Sequence, residues 1–219
     1  DALPICRDNG IEIDRDFCAD GEIHRFPDRD SKRGEKDAWA VLHLDGPVPV
    51  GTYGSFKGGG WEKRWVANIG REMSLMERAD TERWLTENKR RRDEAKRQAH
   101  ADAARRAEDD IGSFADASDD HPYLVRKGVR AYGIKIDRAG RLIIPIINSS
   151  GEIQTYQRID QDGGKKYLKD GQKKDGFFEI VGDRSAIYIC EGYATGATVH
   201  HATGKSVYLA FDSGRDRKS

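Results

Sequence analysis

The sequence has little of several features that mark common classes of protein. Its 219 residues include three cysteines, Cys6, Cys18 and Cys190, at wide spacings. An odd count without short spacings argues against a disulfide framework and favours a reducing compartment, so we expect a cytoplasmic protein. Every apolar run falls far short of the ~20 residues that cross a bilayer, so we expect no membrane partner. The formal net charge is zero, which gives no general argument for nucleic acid.

The sequence also lacks the patterns of three familiar kinds of site. Cys6, Cys18 and His24 are irregularly spaced and have no fourth ligand, which argues against structural zinc. No glycine and lysine spacing fits the phosphate-binding loop of nucleoside triphosphatases. Cys190 lies within an apolar run, which favours a small buried side chain over a nucleophile. We therefore expect neither zinc chemistry nor thiol catalysis.

Residues 1–68 predict a small β-rich module. In two stretches, 21–26 and 38–44, apolar and polar residues alternate as they do in strands. Aromatic residues are dense here, which fits a small aromatic core or a stacking surface for single-stranded bases. These aromatic residues are Trp39, Tyr53, Phe56, Trp61 and Trp65.

Residues 69–118 predict a long helical linker. Its helix covers about 72–112, with a capping box at Ser74 and Glu77 and with Gly112 just past its end. The apolar stripe of this helix is thin and consists mostly of alanine. Such a helix buries little, so we expect it to lie along a surface or to bridge two domains.

Residues 119–184 predict a mixed subdomain of short strands. One buried strand covers 141–147, where Pro145 implies a sheet edge or a bulge, because proline cannot donate to a ladder. The segment carries thirteen basic and eight acidic residues between His121 and Arg184. This local excess of positive charge suits a polyanion, although a solvated surface explains it equally well.

Residues 185–219 predict a strand, a helix and a second strand. The apolar run at 186–190 is typical of a buried strand, and 206–211 is another. The predicted fold class is therefore α+β: a small β-rich module, a long bridging helix, the mixed subdomain and an incomplete α/β unit. Because one such crossover cannot complete a sheet, we expect the chain to continue past Ser219.

Two carboxylates follow the two strands of this last unit. Glu191 comes directly after the first strand and Asp212 directly after the second. Ligands of open α/β sheets bind at the carboxyl ends of strands, so both acids are expected to face one crevice. Mg²⁺ prefers such oxygen ligands together with phosphates and waters. The sequence thus predicts a metal site at Glu191 and Asp212, the alternative being that either acid only caps a helix or a turn.

The order of several motifs resembles that of DNA primases of the Toprim type, in their phage and plasmid branch. Glu191-Gly-Tyr-Ala-Thr resembles the first Toprim motif, and the segments before it follow the order seen ahead of a Toprim domain. These segments are Arg141-Leu-Ile-Ile-Pro-Ile, Gly151, Gln157-Arg158, Lys166-Tyr-Leu and Phe177-Phe178. The likeness is best defined over 120–214 and makes the last two segments a primase-like subdomain and a partial Toprim domain.

The resemblance implies an activity. Such primases copy single-stranded DNA into a short RNA primer from nucleoside triphosphates, with Mg²⁺ or Mn²⁺, and some act with a replicative helicase. Glu191 matches the family's general acid/base or metal residue, whereas Arg158 and Lys166 match basic residues that contact nucleotide or template. We expect the neighbouring basic residues to contribute to the same binding: Lys165, Arg126, Lys127 and Arg141.

Two family features are absent, and two other functions stay open. No Asp-x-Asp pair, which holds metal in Toprim domains, follows Glu191, and the N-terminal zinc ribbon is missing, so this stretch alone is expected to be catalytically weak. A Toprim nuclease or topoisomerase-like enzyme is one alternative. The other is a non-catalytic module that binds single-stranded DNA or recruits a helicase.

Overall fold

The protein mixes helices and strands, which confirms the predicted α+β class. The computed structural model describes residues 6, 8–11, 19–32 and 35–211. The chain forms two compact units, Asp1–Arg92 and Asp93–Ser219. Within the described residues, no helix is long and apolar enough to cross a membrane. The three boundaries between the four segments predicted from the sequence stay predictions.

The N-terminal unit is built on a four-stranded antiparallel sheet. Each strand pairs with the next along the chain, and a short 3₁₀ turn, Lys57–Gly59, precedes the last one. Both strands predicted from alternation are present. The strands are β1 (His24–Phe26), β2 (Ala38–His43), β3 (Val50–Ser55) and β4 (Trp61–Val66).

Aromatic side chains have two different environments on this sheet. Tyr53 is buried and meets Trp61 edge to face, with ring centroids 6.0 Å apart. Phe56 instead leaves 48% of its surface exposed, beside Trp39. Gly54 has no side chain because a Cβ there would overlap the Trp61 carbonyl and press on the Trp39 indole. The prediction of an aromatic core therefore holds for only part of the set.

The predicted long helix is present as α1, Leu75–Ser113. Its capping box is formed as expected: the Glu77 N–H donates to Ser74 Oγ at 3.2 Å, and the Ser74 N–H donates to Glu77 Oε2 at 2.8 Å. The prediction that Gly112 lies just past the end is wrong, because Gly112 is inside the helix, which ends at Ser113. In the C-terminal unit α1 buries Ala103 and Ala107 completely.

The C-terminal unit is a mixed sheet with two short helices. β7 lies at its centre, paired with β8 along one side and with β6 and then β10 along the other. The other elements are β5 (Ala115–Asp116), α2 (Pro122–Lys127), β6 (Lys135–Ile136), β7 (Leu142–Ile147), β8 (Ile153–Ile159), β9 (Lys165–Tyr167), β10 (Phe177–Ile180), β11 (Asp183–Cys190), α3 (Tyr193–Thr203) and β12 (Lys205–Ala210).

Pro145 occupies a gap in the hydrogen bonding of β7. On one side β6 pairs with Leu142 and Ile143, and β10 pairs only with Ile147. The residues between have no partner strand on that side. On the other side the register with β8 shifts between Ile146 and Ile147. A proline, which has no N–H to donate, is tolerated at this point without breaking the ladder.

The predicted strand, helix and strand are formed by β11, α3 and β12. The two strands are parallel neighbours, and α3 packs closely on β12. Gly196 makes this approach possible, because a Cβ there would overlap Leu209 and lie 3.2 Å from Val207 Cγ1. The α/β unit inferred from the sequence is therefore confirmed over the described residues.

The burial predicted for β11 is wrong. Ile187 is 56% exposed and Ile189 is 76% exposed. β11 forms the edge of the described sheet, and α3 covers only its other face, to which Tyr188 and Cys190 point with their partners Val207 and Leu209. Cys190 itself is half-buried, and burial raises the pKa of its thiol, which keeps it protonated.

Two side chains fix the loops that precede the site. His121 caps α2, since its Nδ1 accepts from the Tyr123 N–H at 3.2 Å while its Nε2 lies 2.9 Å from the Gly140 carbonyl oxygen. Tyr193, fully buried at the start of α3, donates its hydroxyl to the Arg130 carbonyl at 2.9 Å and accepts from the Tyr132 N–H at 2.6 Å. Burial raises the pKa of Tyr193 far above its ordinary value.

We expect Tyr193→Phe to lower the free energy of unfolding by about 1–3 kcal/mol, because two backbone groups would lose their partner inside the protein. Urea denaturation followed by circular dichroism would measure the change. Tyr188→Phe is the matched control, since its side chain is 42% exposed. Equal stability of the two variants would contradict the role given to the Tyr193 hydroxyl.

Candidate functional site

Glu191 lies in the turn between β11 and α3. Gly192 is the N-cap of α3, in an extended conformation, and no side chain caps the first turn. The backbone N–H groups there have no partner within the helix, and together with the helix dipole they favour an anion. The Glu191 side chain is exposed and makes no ion pair with any described residue.

Lys165 reaches this turn from β9. Its Nζ lies 3.4 Å from the position that a Cβ on Gly192 would occupy. The absence of a side chain at Gly192 therefore leaves room for the ammonium group beside the start of α3. A carboxylate, an ammonium group and uncapped N–H groups meet here, and this combination suits a phosphate group that must be held near a proton acceptor.

The register of β8 and β9 divides the predicted basic residues between two faces of the sheet. Ile159 pairs with Lys165, which places Lys165 on the face covered by α2 and α3. Arg158 pairs with Lys166, and both lie on the opposite face, where the end of α1 packs on Ile143 and Tyr156. The structure thus brings Lys165, but not Arg158 or Lys166, to the Glu191 turn.

Arg158 and Arg141 have structural contacts on the α1 face. The Arg158 guanidinium lies 5.8 Å from the Tyr156 ring centre, and the Tyr156 hydroxyl donates to Asp110 at 2.8 Å. Burial, followed by this bond to Asp110, raises the pKa of Tyr156 to about 12. Arg141 Nε donates to Asp137 Oδ2 at 2.7 Å and so closes the turn before β7.

Arg126 and Lys127 lie at the end of α2. The Arg126 guanidinium donates to the Gln161 carbonyl at 2.9 Å and lies 5.8 Å from the Tyr123 ring centre. It therefore holds the turn between β8 and β9, from which Lys165 starts. Lys127 is exposed and forms no ion pair with the described residues.

Of the two predicted metal ligands, Glu191 lies in the turn before α3 and Asp212 lies outside the described residues. Among the residues that the structure describes, no three histidine, cysteine, aspartate or glutamate side chains are grouped as metal ligands. Glu191 is thus the predicted metal ligand among the described residues, and the ligands that complete a Mg²⁺ or Mn²⁺ site would have to include phosphates, waters or residues outside that part.

Sequence reasoning missed the loop between β9 and β10. In this loop Lys173 extends over the Tyr167 ring, with its Nζ 4.6 Å from the ring centre. A signal was present in the sequence, because Asp-Gly occurs twice there, as Asp170-Gly171 and Asp175-Gly176. Repeated Asp-Gly pairs favour tight turns and therefore predict a loop with a defined conformation.

A separate cavity lies within the N-terminal unit, between the end of β4 and the start of α1. Its volume is about 490 Å³, and Arg64, Arg71 and Arg78 are among its lining residues. Arg64 pairs with Glu82, and Arg71 pairs with Glu77. Because their charges are largely neutralised by these neighbours, the cavity gives no argument for an anionic ligand.

The fold and the Glu191 turn define an α+β protein with an uncapped helix start next to an exposed carboxylate. Two curated relatives, both from Escherichia coli and both named DNA primase TraC, are each 34% identical to the chain over 203 residues. The alignment covers 89% of this chain but 19% of one relative and 14% of the other. The chain therefore spans less than a fifth of the length of these relatives. No family model and no solved structure matches it.

We expect Asp137→Asn to destabilise the protein at neutral pH by about 1.5–3 kcal/mol, because a buried charged acceptor is lost. Burial would raise the pKa of Asp137, but hydrogen bonds from Arg141 and Ala139 hold it below its ordinary value. A depressed pKa stabilises the fold above the ordinary pKa, and this contribution is lost as the pH falls through the folded value.

The measurement is denaturation of both proteins from pH 7 downward. The difference between wild type and Asp137→Asn should shrink below pH ~4, the ordinary pKa of aspartate. Asp109→Asn, an exposed change on α1, serves as the control and should show almost no difference at any pH. A difference that grows in acid would contradict the assignment.

Proposed function

We propose that this chain is part of a DNA primase of the Toprim type from a plasmid or phage replication system. It would belong to an enzyme that copies single-stranded DNA into a short RNA primer from nucleoside triphosphates, in the cytoplasm. The observation that carries the proposal is the Glu191 turn, where a carboxylate and Lys165 flank an uncapped helix start. The likeness to proteins named DNA primase supports the same conclusion.

Glu191 has the position that a general base or metal ligand needs. It lies between the last residue of β11 and the N-cap of α3, and its exposed carboxylate is accessible to a substrate. A 3′ hydroxyl that attacks a triphosphate must lose its proton, and the phosphates need positive charge around them. Lys165 and the first N–H groups of α3 provide that charge beside Glu191.

The basic residues on both faces of β9 belong to the proposed path of the template. β9 pairs only with β8 and therefore forms an edge of the described sheet. A single strand of DNA along this edge would meet Lys165 on one face and Lys166 and Arg158 on the other. Such contacts are electrostatic and should weaken as salt is added.

The metal stays part of the proposal. Mg²⁺ or Mn²⁺ would use Glu191 together with phosphate oxygens, and it would supply charge that stabilises the transferring phosphate. The described residues alone do not form a complete set of ligands. The metal ligands that complete the site are therefore proposed to lie outside them, with Asp212 as a candidate, and a replicative helicase as a partner is equally a proposal.

Two other functions would use parts of the same surface. A Toprim nuclease or topoisomerase-like enzyme would also need Glu191, but it would cut DNA and need no nucleotides. A non-catalytic module that binds DNA or recruits a helicase would need the basic residues without Glu191. The names of the two relatives favour primer synthesis over both of these alternative functions.

We expect Glu191→Gln to reduce primer synthesis by about 10²-fold or more, since general acid–base residues contribute 10²–10⁴-fold. The assay uses the complete natural polypeptide, single-stranded DNA, Mg²⁺ or Mn²⁺ and labelled nucleotides. Glu108→Gln, an exposed change on α1 with the same loss of charge, should synthesise primers like wild type.

Measurements of DNA binding and of reaction products distinguish the primase from the two alternative functions. Under the primase proposal, Glu191→Gln keeps the affinity for single-stranded DNA, whereas its products disappear. Cleaved DNA from wild type without added nucleotides would favour the nuclease. If Glu191→Gln and wild type make equal amounts of primer, Glu191 has no part in the reaction.

A further inference from the structure

The loop 168–176 between β9 and β10 is held at two points. A Cβ on Gly171 would overlap the Thr155 hydroxyl, and a Cβ on Gly176 would lie 2.5 Å from Ile146 Cγ2. The preceding residues Asp170 and Asp175 have left-handed φ values of 63° and 60°. Aspartate tolerates this conformation better than most residues. Each Asp-Gly pair therefore makes a tight turn where the loop touches β8 or β7.

The middle of the loop, between these two turns, has a defined position. Gln172 lies 3.1 Å from His100 of α1, measured from Oε1 to Nδ1. The next residue, Lys173, extends over Tyr167, with its ammonium nitrogen 4.6 Å from the ring centre. The aromatic face attracts the cation and holds it in place. Lys173 is therefore set by the fold and is only partly exposed.

Tyr167 connects this lysine to the Glu191 turn. Side chains alternate along a strand, so Lys165 and Tyr167 emerge on the same face of β9, about 7 Å apart. The Tyr167 ring also meets Phe211 edge to face at 6.4 Å, at the end of β12. One face of β9 thus carries Lys165 beside Gly192 and Lys173 over Tyr167. No described carboxylate forms an ion pair with either lysine.

We propose that Lys165 and Lys173 form a phosphate-binding surface across Tyr167, next to Glu191. Two ammonium groups with no carboxylate partner, placed by different elements on one face, are suited to successive phosphate groups of a polyanion. The phosphates belong to single-stranded DNA or to a nucleoside triphosphate, and the chemistry of recognition is the same. The inference deepens the proposed function and rests on it for its biological setting, but phosphate binding is measured without synthesis.

The test uses the complete natural polypeptide and two probes, a labelled oligothymidylate and ATP. We expect Lys173→Gln and Lys165→Gln each to weaken binding of one probe several-fold. If the probe is DNA, each variant should lower the slope of log affinity against log salt by about 0.7, the value for one phosphate contact with a single strand.

Lys174→Gln is the matched control, because it removes the same charge from the adjacent, exposed position of the loop. It should bind both probes like wild type. A second pair of variants tests the ring: Tyr167→Leu should weaken binding as Lys173→Gln does, and Tyr167→Phe, which keeps the aromatic face, should restore it.

The two probes identify the source of the phosphate. Loss of oligothymidylate binding alone assigns the surface to the template, and loss of ATP binding alone assigns it to the nucleotide. If Lys173→Gln and Lys174→Gln behave alike, or if wild type binds neither probe at low salt, the proposal is overturned. If wild type binds through these lysines but makes no primer, the proposed function fails while the phosphate-binding surface stands.

Discussion

The hydroxyl of Tyr193 is the interaction on which the candidate site depends. It joins the first residue of α3 to the backbone of Arg130 and Tyr132, inside the protein. The close approach of α3 to β12 at Gly196 fixes the other side of the same helix. Because α3 is held from both directions, the Glu191–Gly192 turn before it has one position relative to β9. A rigid support of this kind is what an exposed functional carboxylate requires.

Much of the fold was predictable from the order of residues. The capping box of α1, the alternation in β1 and β2 and the apolar runs of β7 and β12 are local signals, and each corresponds to an element. The exposure of β11 was not predictable. An apolar run such as Ile187 to Ile189 has the pattern of a buried strand whether or not another element covers both of its faces. Burial depends on neighbours that a local pattern does not contain.

The site was predictable in its chemistry but not in its arrangement. The position of Glu191 at a strand end followed from the sequence, whereas the separation of Lys165 from Lys166 did not. Adjacent residues of a strand point to opposite faces, and which face carries which lysine is set by the register with β8. Lys173 escaped notice because its place over Tyr167 depends on a loop that returns across the sheet.

Strand β11, the edge of the described sheet, has a consequence for association between copies of the chain. An apolar edge with unpaired backbone groups is a template for pairing with a second copy, and proteins limit this with charges next to the strand. Here those charges are Asp183 and Arg184 at one end of β11 and Glu191 just past the other. The exposed carboxylate of Glu191 is therefore also placed where a charge discourages such pairing.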